Sequence, residues 1–150
     1  MGLPDPYPGL VISYAYLWSR EDARGIEEGG KNRPCAIVLT RSVVTEPTGQ
    51  TRKIVSVVPV THVEPADPEL ALEIPAALKK HLSMDASRSW IMLDETNEFL
   101  WPGPDLRAIS RDRPKDFAYG TLPPKFFARM TARLIALARA RRHHRVVRTD

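Results

Sequence analysis

The sequence predicts a mainly β fold with some α structure: a small curled barrel of five to six antiparallel strands, covered on its open side by a C-terminal amphipathic helix. Two observations support this class. Short β-rich runs are separated by proline- and glycine-containing turns, and one stretch near the C-terminus repeats its apolar residues every three to four positions. Fourteen prolines indicate many stiff connections, so no long helix is expected before that stretch.

The first elements follow from local composition. Residues 10–18 are β-rich and follow Pro8 and Gly9, which is typical of a strand entry. Residues 19–32 contain seven charged residues and three glycines, a composition that cannot bury itself. We predict a strand over residues 10–18, followed by a mobile charged loop over residues 19–32 that acts as a lid.

Two apolar runs predict an antiparallel hairpin. Residues 35–40 and residues 53–60 are both strand-like, and the turn signals of residues 46–50 lie between them. Pro34 is acceptable before the first of these strands because the first residue of a strand need not donate a ladder hydrogen bond. This hairpin is the centre of the predicted sheet.

The middle of the chain predicts a small excursion from the barrel. A short strand is expected at residues 70–74, two helical turns at residues 76–82 and a further strand at residues 89–93. A turn at residues 101–104 precedes a last weak strand at residues 106–110. These elements complete the five to six strands.

The clearest predicted helix follows Thr121, which suits the N-cap position. Pro123 and Pro124 are tolerated in a first helical turn. Apolar side chains then recur at helical spacing with arginines between them, as expected for a helix that covers a core. Those apolar positions are Phe126, Phe127, Met130, Leu134, Leu137 and Ala138.

The chain length and the distribution of charge limit the possible domain organisation. A chain of 150 residues buries roughly 70% of its unfolded surface, so we predict a single barrel domain over residues 1–138. Residues 139–150 contain five arginines and one aspartate, a difference that equals the net charge of +4, and are predicted to form a basic, flexible tail. Such a tail fits a nucleic-acid contact, a partner-docking segment or a solvated end.

The cysteine content and the hydropathy predict a cytoplasmic protein without membrane contact. Cys35 is the single cysteine, so no internal disulfide forms, and its apolar surroundings indicate a small buried residue rather than a reactive thiol. No run approaches the ~20 apolar residues that a membrane span needs, and the N-terminus lacks the features of a secretory signal.

Two polar groups at strand ends predict a phosphate-handling cleft. Arg33 precedes the apolar run of the first hairpin strand, and Thr61 follows that of the second. A guanidinium offers planar donors to two phosphate oxygens, and a threonine hydroxyl can donate to another. The alternative is structural: Arg33 would pair with Glu27 or Glu28, and Thr61 would satisfy a neighbouring backbone group.

The order of these pieces resembles the MazF/PemK toxin family over roughly residues 9–138. The most specific parts are residues 30–39 (GKNRPCAIVL) and residues 57–61 (VVPVT). The resemblance implies an SH3-like barrel that forms a homodimer, cleaves single-stranded messenger RNA without the ribosome and is neutralised by a cognate antitoxin. It also implies that Arg33 and Thr61 are active-site residues.

The chain departs from the family at one strand end. The family commonly has Asp-Gln where Asp94 and Glu95 stand here, and some members have an arginine where Met92 stands. A second carboxylate near an RNA phosphate costs affinity, and neighbouring strand residues point to opposite faces. Asp94 is therefore the better candidate for a catalytic role, and Glu95 for contact with the RNA.

Metal-independent RNA cleavage needs the 2′-hydroxyl deprotonated, the charge on the phosphorane stabilised and the leaving 5′-oxygen protonated. Arg33 suits stabilisation of the charge on the phosphorane, and Thr61 can donate a hydrogen bond to it. His62 and Asp94 suit the two proton transfers. Lone histidines are more often surface or core residues, which is the alternative for His62. We predict no cofactor and no metal, because adjacent His143 and His144 lack matching ligands.

The charged loop supplies the candidate RNA-backbone contacts Arg20, Arg24 and Lys31. A solvated loop whose cations pair with its own acidic residues is the alternative. The leading function is thus a toxin-type endoribonuclease that leaves a 2′,3′-cyclic phosphate. The alternatives are a non-catalytic binding module that resembles the gyrase-poisoning CcdB branch, and a decayed toxin-like domain kept for interaction.

Overall fold

The computed structural model describes residues 3–25 and 31–148, which form eight strands and three α-helices. The strands are β1 (Leu10–Tyr14), β2 (Arg33–Thr45), β3 (Gln50–Thr61), β4 (Ala71–Glu73), β5 (Trp90–Met92), β6 (Glu95–Leu100), β7 (Ala118–Thr121) and β8 (His144–Val147). The helices are α1 (Ser19–Asp22), α2 (Ala76–His81) and α3 (Pro124–Arg139). None of the helices in the described ranges is long and apolar enough to cross a membrane.

The strands form one sheet that branches at β3. Its main path runs β4-β5-β3-β2-β1-β7 with antiparallel neighbours, and β6 pairs with a different part of β3. Among the described residues no pairing joins β4 to β7, so hydrogen bonding leaves the sheet unclosed. The predicted class, mainly β with a C-terminal helix, is confirmed, with eight strands in place of five to six.

The central strands are apolar on both faces because each face has its own core. Val11, Ala36 and Val58 belong to a cluster covered by α2 and α3. Their sequence neighbours Ile12 and Ile37 belong to a second cluster on the opposite face, with Phe99 and Leu106 among its members. Side chains alternate between faces along a strand, so burial of both faces explains the nearly continuous apolar runs of the sequence.

The hairpin and the C-terminal helix form where the sequence predicts them, but the predicted cap is wrong: Thr121 ends β7, and α3 begins after Pro123 without a side-chain cap. β2 and β3 pair antiparallel from Thr45 opposite Gln50 to Cys35 opposite Pro59, with one irregularity in the register near Ile37. In α3 the buried residues are Phe126, Met130 and Leu137, three of the predicted apolar positions. The short elements β4, α2 and β5 also form where the sequence predicts them.

Three local predictions need correction. The strand predicted over residues 10–18 ends at Tyr14, because the Ala15 N–H then donates to the Asp105 carbonyl at 2.9 Å. The predicted charged loop begins with α1, where the Glu21 carboxylate accepts from the Trp18 N–H. Residues 106–110 form only isolated bridges instead of a strand. Residues 26–30, including Glu27 and Glu28, lie outside the described residues.

The C-terminal segment differs from the flexible tail predicted for residues 139–150. β8 pairs parallel with β6, and the sequence analysis predicted neither strand. Val146, in β8, is buried. Arg148 is also buried: its guanidinium donates to the Ala15 carbonyl at 2.9 Å and lies 2.7 Å from the Asp105 carboxylate. The last part of the basic segment is therefore used inside the fold.

Candidate functional site

A cavity of about 320 Å³ opens beside the start of β2 and the end of β3. Four predicted site residues are in its wall: Lys31, Arg33, Thr61 and His62. The hairpin register explains this convergence. Cys35 lies opposite Pro59, and two further steps along an antiparallel ladder bring Arg33 to the level of Thr61.

The Arg33 guanidinium is held firmly but is incompletely satisfied. Its Nη1 donates to the Val60 carbonyl at 3.1 Å, and the group lies 5.0 Å from the centre of the Trp18 ring. Its Nε is buried and has no hydrogen-bond partner among the described residues. Burial lowers the pKa of Arg33. A half-buried cation with an unfilled donor favours an anionic ligand, which would supply both the charge and the missing acceptor.

The Trp18 ring also contacts a second cation. The Arg20 guanidinium lies 5.1 Å from the ring centre, and its charge contributes to the lowered pKa of Arg33 after burial. Arg20 is therefore close to the site without being part of the cavity wall. Arg24, the other predicted RNA contact of this segment, is exposed just after α1. Trp18 thus links α1 to the start of β2.

Thr61 keeps a donor for a ligand. Its Oγ1 accepts a hydrogen bond from the Val63 N–H at 3.1 Å, which fixes the turn after β3. This contact is the structural role that the sequence left open for Thr61. The hydroxyl proton is not used in that bond and can be donated into the cavity.

His62 is oriented by a carboxylate that the sequence analysis missed. Its Nε2 lies 2.9 and 3.1 Å from the two oxygens of Asp85, and both side chains are about half exposed. Hydrogen bonds from Lys79 and then from His62 lower the pKa of Asp85, so its carboxylate is ionised and only accepts. Nε2 is therefore the donor, which leaves Nδ1 of a neutral imidazole as a proton acceptor.

Asp85 is itself anchored by a buried lysine. The Lys79 Nζ lies 2.7 Å from Asp85 Oδ1 and 2.6 Å from Ser89 Oγ, and it also donates to the Ser87 carbonyl. Only 5% of the Lys79 side chain is exposed. These partners lie 6 to 10 positions further along the chain, and the sequence signal for the cluster is a lysine inside the short helical run next to Leu78.

Asp94 and Glu95 are not among the residues that line the cavity. One oxygen of Asp94 is buried without a hydrogen-bond partner in the described part of the chain. The Glu95 carboxylate accepts from the Ser19 N–H at 2.8 Å and from the Tyr16 hydroxyl at 3.2 Å, and burial raises its pKa. Glu95 therefore holds the segment that leads into α1.

Other reactive side chains have structural surroundings. Cys35 is fully buried, and burial raises the pKa of its thiol, which disfavours the nucleophilic thiolate. His143 faces the Leu93 carbonyl at 2.9 Å and the Thr96 hydroxyl at 3.2 Å. Within residues 3–25 and 31–148, no group of three or more His, Cys, Asp or Glu side chains is arranged to hold a metal ion.

No protein-family model, curated protein or solved structure matches this chain in the three comparisons made. The cavity itself is therefore the basis for inferring a function. Its wall combines a desolvated guanidinium, a hydroxyl donor and an imidazole oriented by a carboxylate. That combination can bind a phosphate group and move a proton beside it.

Proposed function

We propose that this protein is a metal-independent endoribonuclease of the MazF/PemK toxin type that cleaves single-stranded RNA in the cavity between β2 and β3. The observation that carries the proposal is the convergence of Arg33, Thr61 and His62 on one wall. The proposal includes the SH3-like barrel, the homodimer, the cytoplasmic location and the cognate antitoxin that the resemblance implies.

In the proposed mechanism Arg33 binds the scissile phosphate through its guanidinium, and Thr61 donates to a non-bridging oxygen. His62 Nδ1 accepts the proton of the ribose 2′-hydroxyl, and Asp85 stabilises the imidazolium that forms. The 2′-oxygen attacks phosphorus and the bond to the 5′-oxygen breaks. The leaving oxygen takes a proton that we assign to Lys31, the other cation of the wall. The products are a 2′,3′-cyclic phosphate and a 5′-hydroxyl.

A second candidate is a non-catalytic module of related fold that binds a partner protein. The position of Asp94 outside the cavity wall favours it, because one of the two predicted proton carriers is then missing. The cavity supplies Asp85 and His62 as a pair in its place, and for this reason we rank the nuclease first.

The test is cleavage of a single-stranded RNA by the purified full chain in the presence of a chelator. We expect products with 2′,3′-cyclic phosphate ends, and a loss of about 10²–10³ in rate for Arg33→Ala, because a preorganised donor to the developing charge is removed. Arg41→Ala is the matched control, since Arg41 lies in the same strand β2, has a 55% exposed side chain and is not among the residues that line the cavity. Absence of cleavage by the wild type would reject the nuclease in favour of the binding module, and equal rates for wild type and Arg33→Ala would reject the cavity as the site of cleavage.

A further inference from the structure

Part of the cavity wall is not used by the proposed chemistry. Five apolar residues line it together with the cationic residues; Pro34 and Val60 belong to the β2–β3 hairpin, and the other three are Met84, Ile109 and Tyr119. They come from three segments, the turn after α2, the connection between β6 and β7, and β7 itself. Phosphate binding and proton transfer need no apolar wall, so these residues call for a ligand with an apolar face.

Tyr119 gives this wall an aromatic surface. The residue is half-buried and packs against the core under α2 and α3, so its ring is held in place. Within the described part of the chain its hydroxyl has no hydrogen-bond partner, and burial raises its pKa, so the hydroxyl stays a neutral donor. A fixed ring with a free polar tip suits a flat ligand with polar edges.

A smaller recess of about 90 Å³ adjoins the same wall. Ser83, Ile109 and Tyr119 line both cavities, and the recess also contains Arg113 and Asp116. Those last two form an ion pair at 3.1 Å. Hydrogen-bonding groups therefore lie beyond the apolar wall, where the polar edge of a stacked ring would reach them.

We infer that Tyr119, Ile109 and Met84 form a nucleobase subsite, in which one base stacks on the Tyr119 ring while a phosphate of the same nucleotide pairs with Arg33. The inference deepens the proposed function and rests on it for the identity of the ligand, an RNA nucleotide. At about 320 Å³ the cavity is near the lower end of the ~300–1,000 Å³ range of ligand pockets, which fits a single nucleotide.

Calorimetric titration of the full chain tests the subsite without any cleavage step. The probes are adenosine 5′-monophosphate and ribose 5-phosphate, which share the ribose and the position of the phosphate and differ in the presence of the base. Base–aromatic stacking is worth about 1–3 kcal/mol, so we expect the nucleotide to bind about 5- to 150-fold more tightly than the sugar phosphate.

Variants of the wall separate stacking from phosphate binding. Tyr119→Leu should remove most of the preference for the nucleotide and leave the affinity for ribose 5-phosphate unchanged, whereas Tyr119→Phe should retain the preference. Arg33→Ala should weaken both probes. If Tyr119→Leu fails to fold, Ile109→Asp tests the same wall from the connecting segment: its carboxylate should weaken phosphate binding by both probes, and the ratio of the two affinities should fall as in Tyr119→Leu.

The subsite is overturned if both probes bind equally, if neither binds, or if Tyr119→Leu and Ile109→Asp keep the full preference for the nucleotide. Failure of the proposed function can be distinguished from failure of the subsite. A base-dependent affinity without RNA cleavage supports the subsite and rejects the nuclease, while cleavage without any base dependence of binding supports the nuclease and rejects the subsite.

Discussion

Charged side chains cluster in two regions of this molecule, and their hydrogen bonding differs between the two. In the cavity, Arg33 keeps an unfilled donor and His62 keeps a ring nitrogen for proton transfer. At the junction of β1, β6 and β8, Arg148 and Glu95 are buried and direct their polar atoms at several partners inside the fold. Arg33 and His62 therefore differ from Arg148 and Glu95 in facing a cavity with hydrogen-bonding atoms to spare, although one buried oxygen of Asp94, outside the cavity wall, also has no partner among the described residues.

The largest expected effect comes from an amide substitution at the cavity. Asp85→Asn removes the charge that orients His62 and stabilises the imidazolium, so we expect kcat/KM for RNA to fall by about 10²–10⁴. Because Asp85 is also the charged partner of the buried Lys79, the free energy of unfolding should fall as well. Initial rates in chelator and urea unfolding measure the two quantities.

Glu95→Gln is the matched control, a carboxylate-to-amide change in the other region. Gln retains an oxygen that accepts from the Ser19 N–H, and Glu95 lies outside the cavity wall. Its activity should stay close to that of the wild type. An equal loss of activity in both variants would mean that the two regions are not functionally distinct.

The next effect concerns stability in the structural region. Arg148→Met leaves the Asp105 carboxylate buried without its 2.7 Å partner, and loss of one member of a buried pair costs about 3–5 kcal/mol. Arg145→Met, three residues earlier in β8, removes an exposed arginine with a 3.8 Å ion pair and should cost less than about 1 kcal/mol. Urea unfolding of both variants measures the difference. Similar costs would show that β8 is not anchored through Arg148.

The elements that the sequence predicted well are those whose information is local. Alternating and periodic apolar residues predict the hairpin and α3, and the hairpin register alone brings Arg33 to the level of Thr61. The convergence of those two residues with His62 follows from this pairing. Neither step needs knowledge of contacts between distant segments.

The elements that were missed depend on such distant contacts. β6 begins with polar residues typical of a turn, yet Asn97 is fully buried, because its amide bonds both the N–H and the carbonyl of Leu17. The segment that contains β8 was predicted to be a basic, flexible tail, because no local sequence pattern shows that the Arg148 guanidinium pairs with the Asp105 carboxylate. Asp85 likewise joins His62 across 23 positions, with no spacing rule to reveal it.

The smallest expected effect is a pH dependence that has opposite signs for two carboxylates. Burial raises the pKa of Glu95 above its ordinary value of 4.5, so the folded state holds this proton more tightly than the unfolded chain. The resulting stabilisation is fully present below the unfolded pKa and is lost as pH rises through the folded pKa. Hydrogen bonds from Arg88 lower the pKa of Glu73, whose contribution is present above its unfolded pKa and lost as pH falls through the folded pKa.

Urea unfolding between about pH 4 and pH 8 separates these contributions when each variant is subtracted from the wild type. The free energy of the wild type minus that of Glu95→Gln should decrease as pH rises, because Gln cannot bind the proton. The same difference for Glu73→Gln should increase, and by little, since Glu73 and Arg88 are exposed. A difference for Glu95 that rose with pH would mean that its hydrogen bonds from Ser19 and Tyr16 outweigh its burial, and that Glu95 resembles the exposed carboxylates after all.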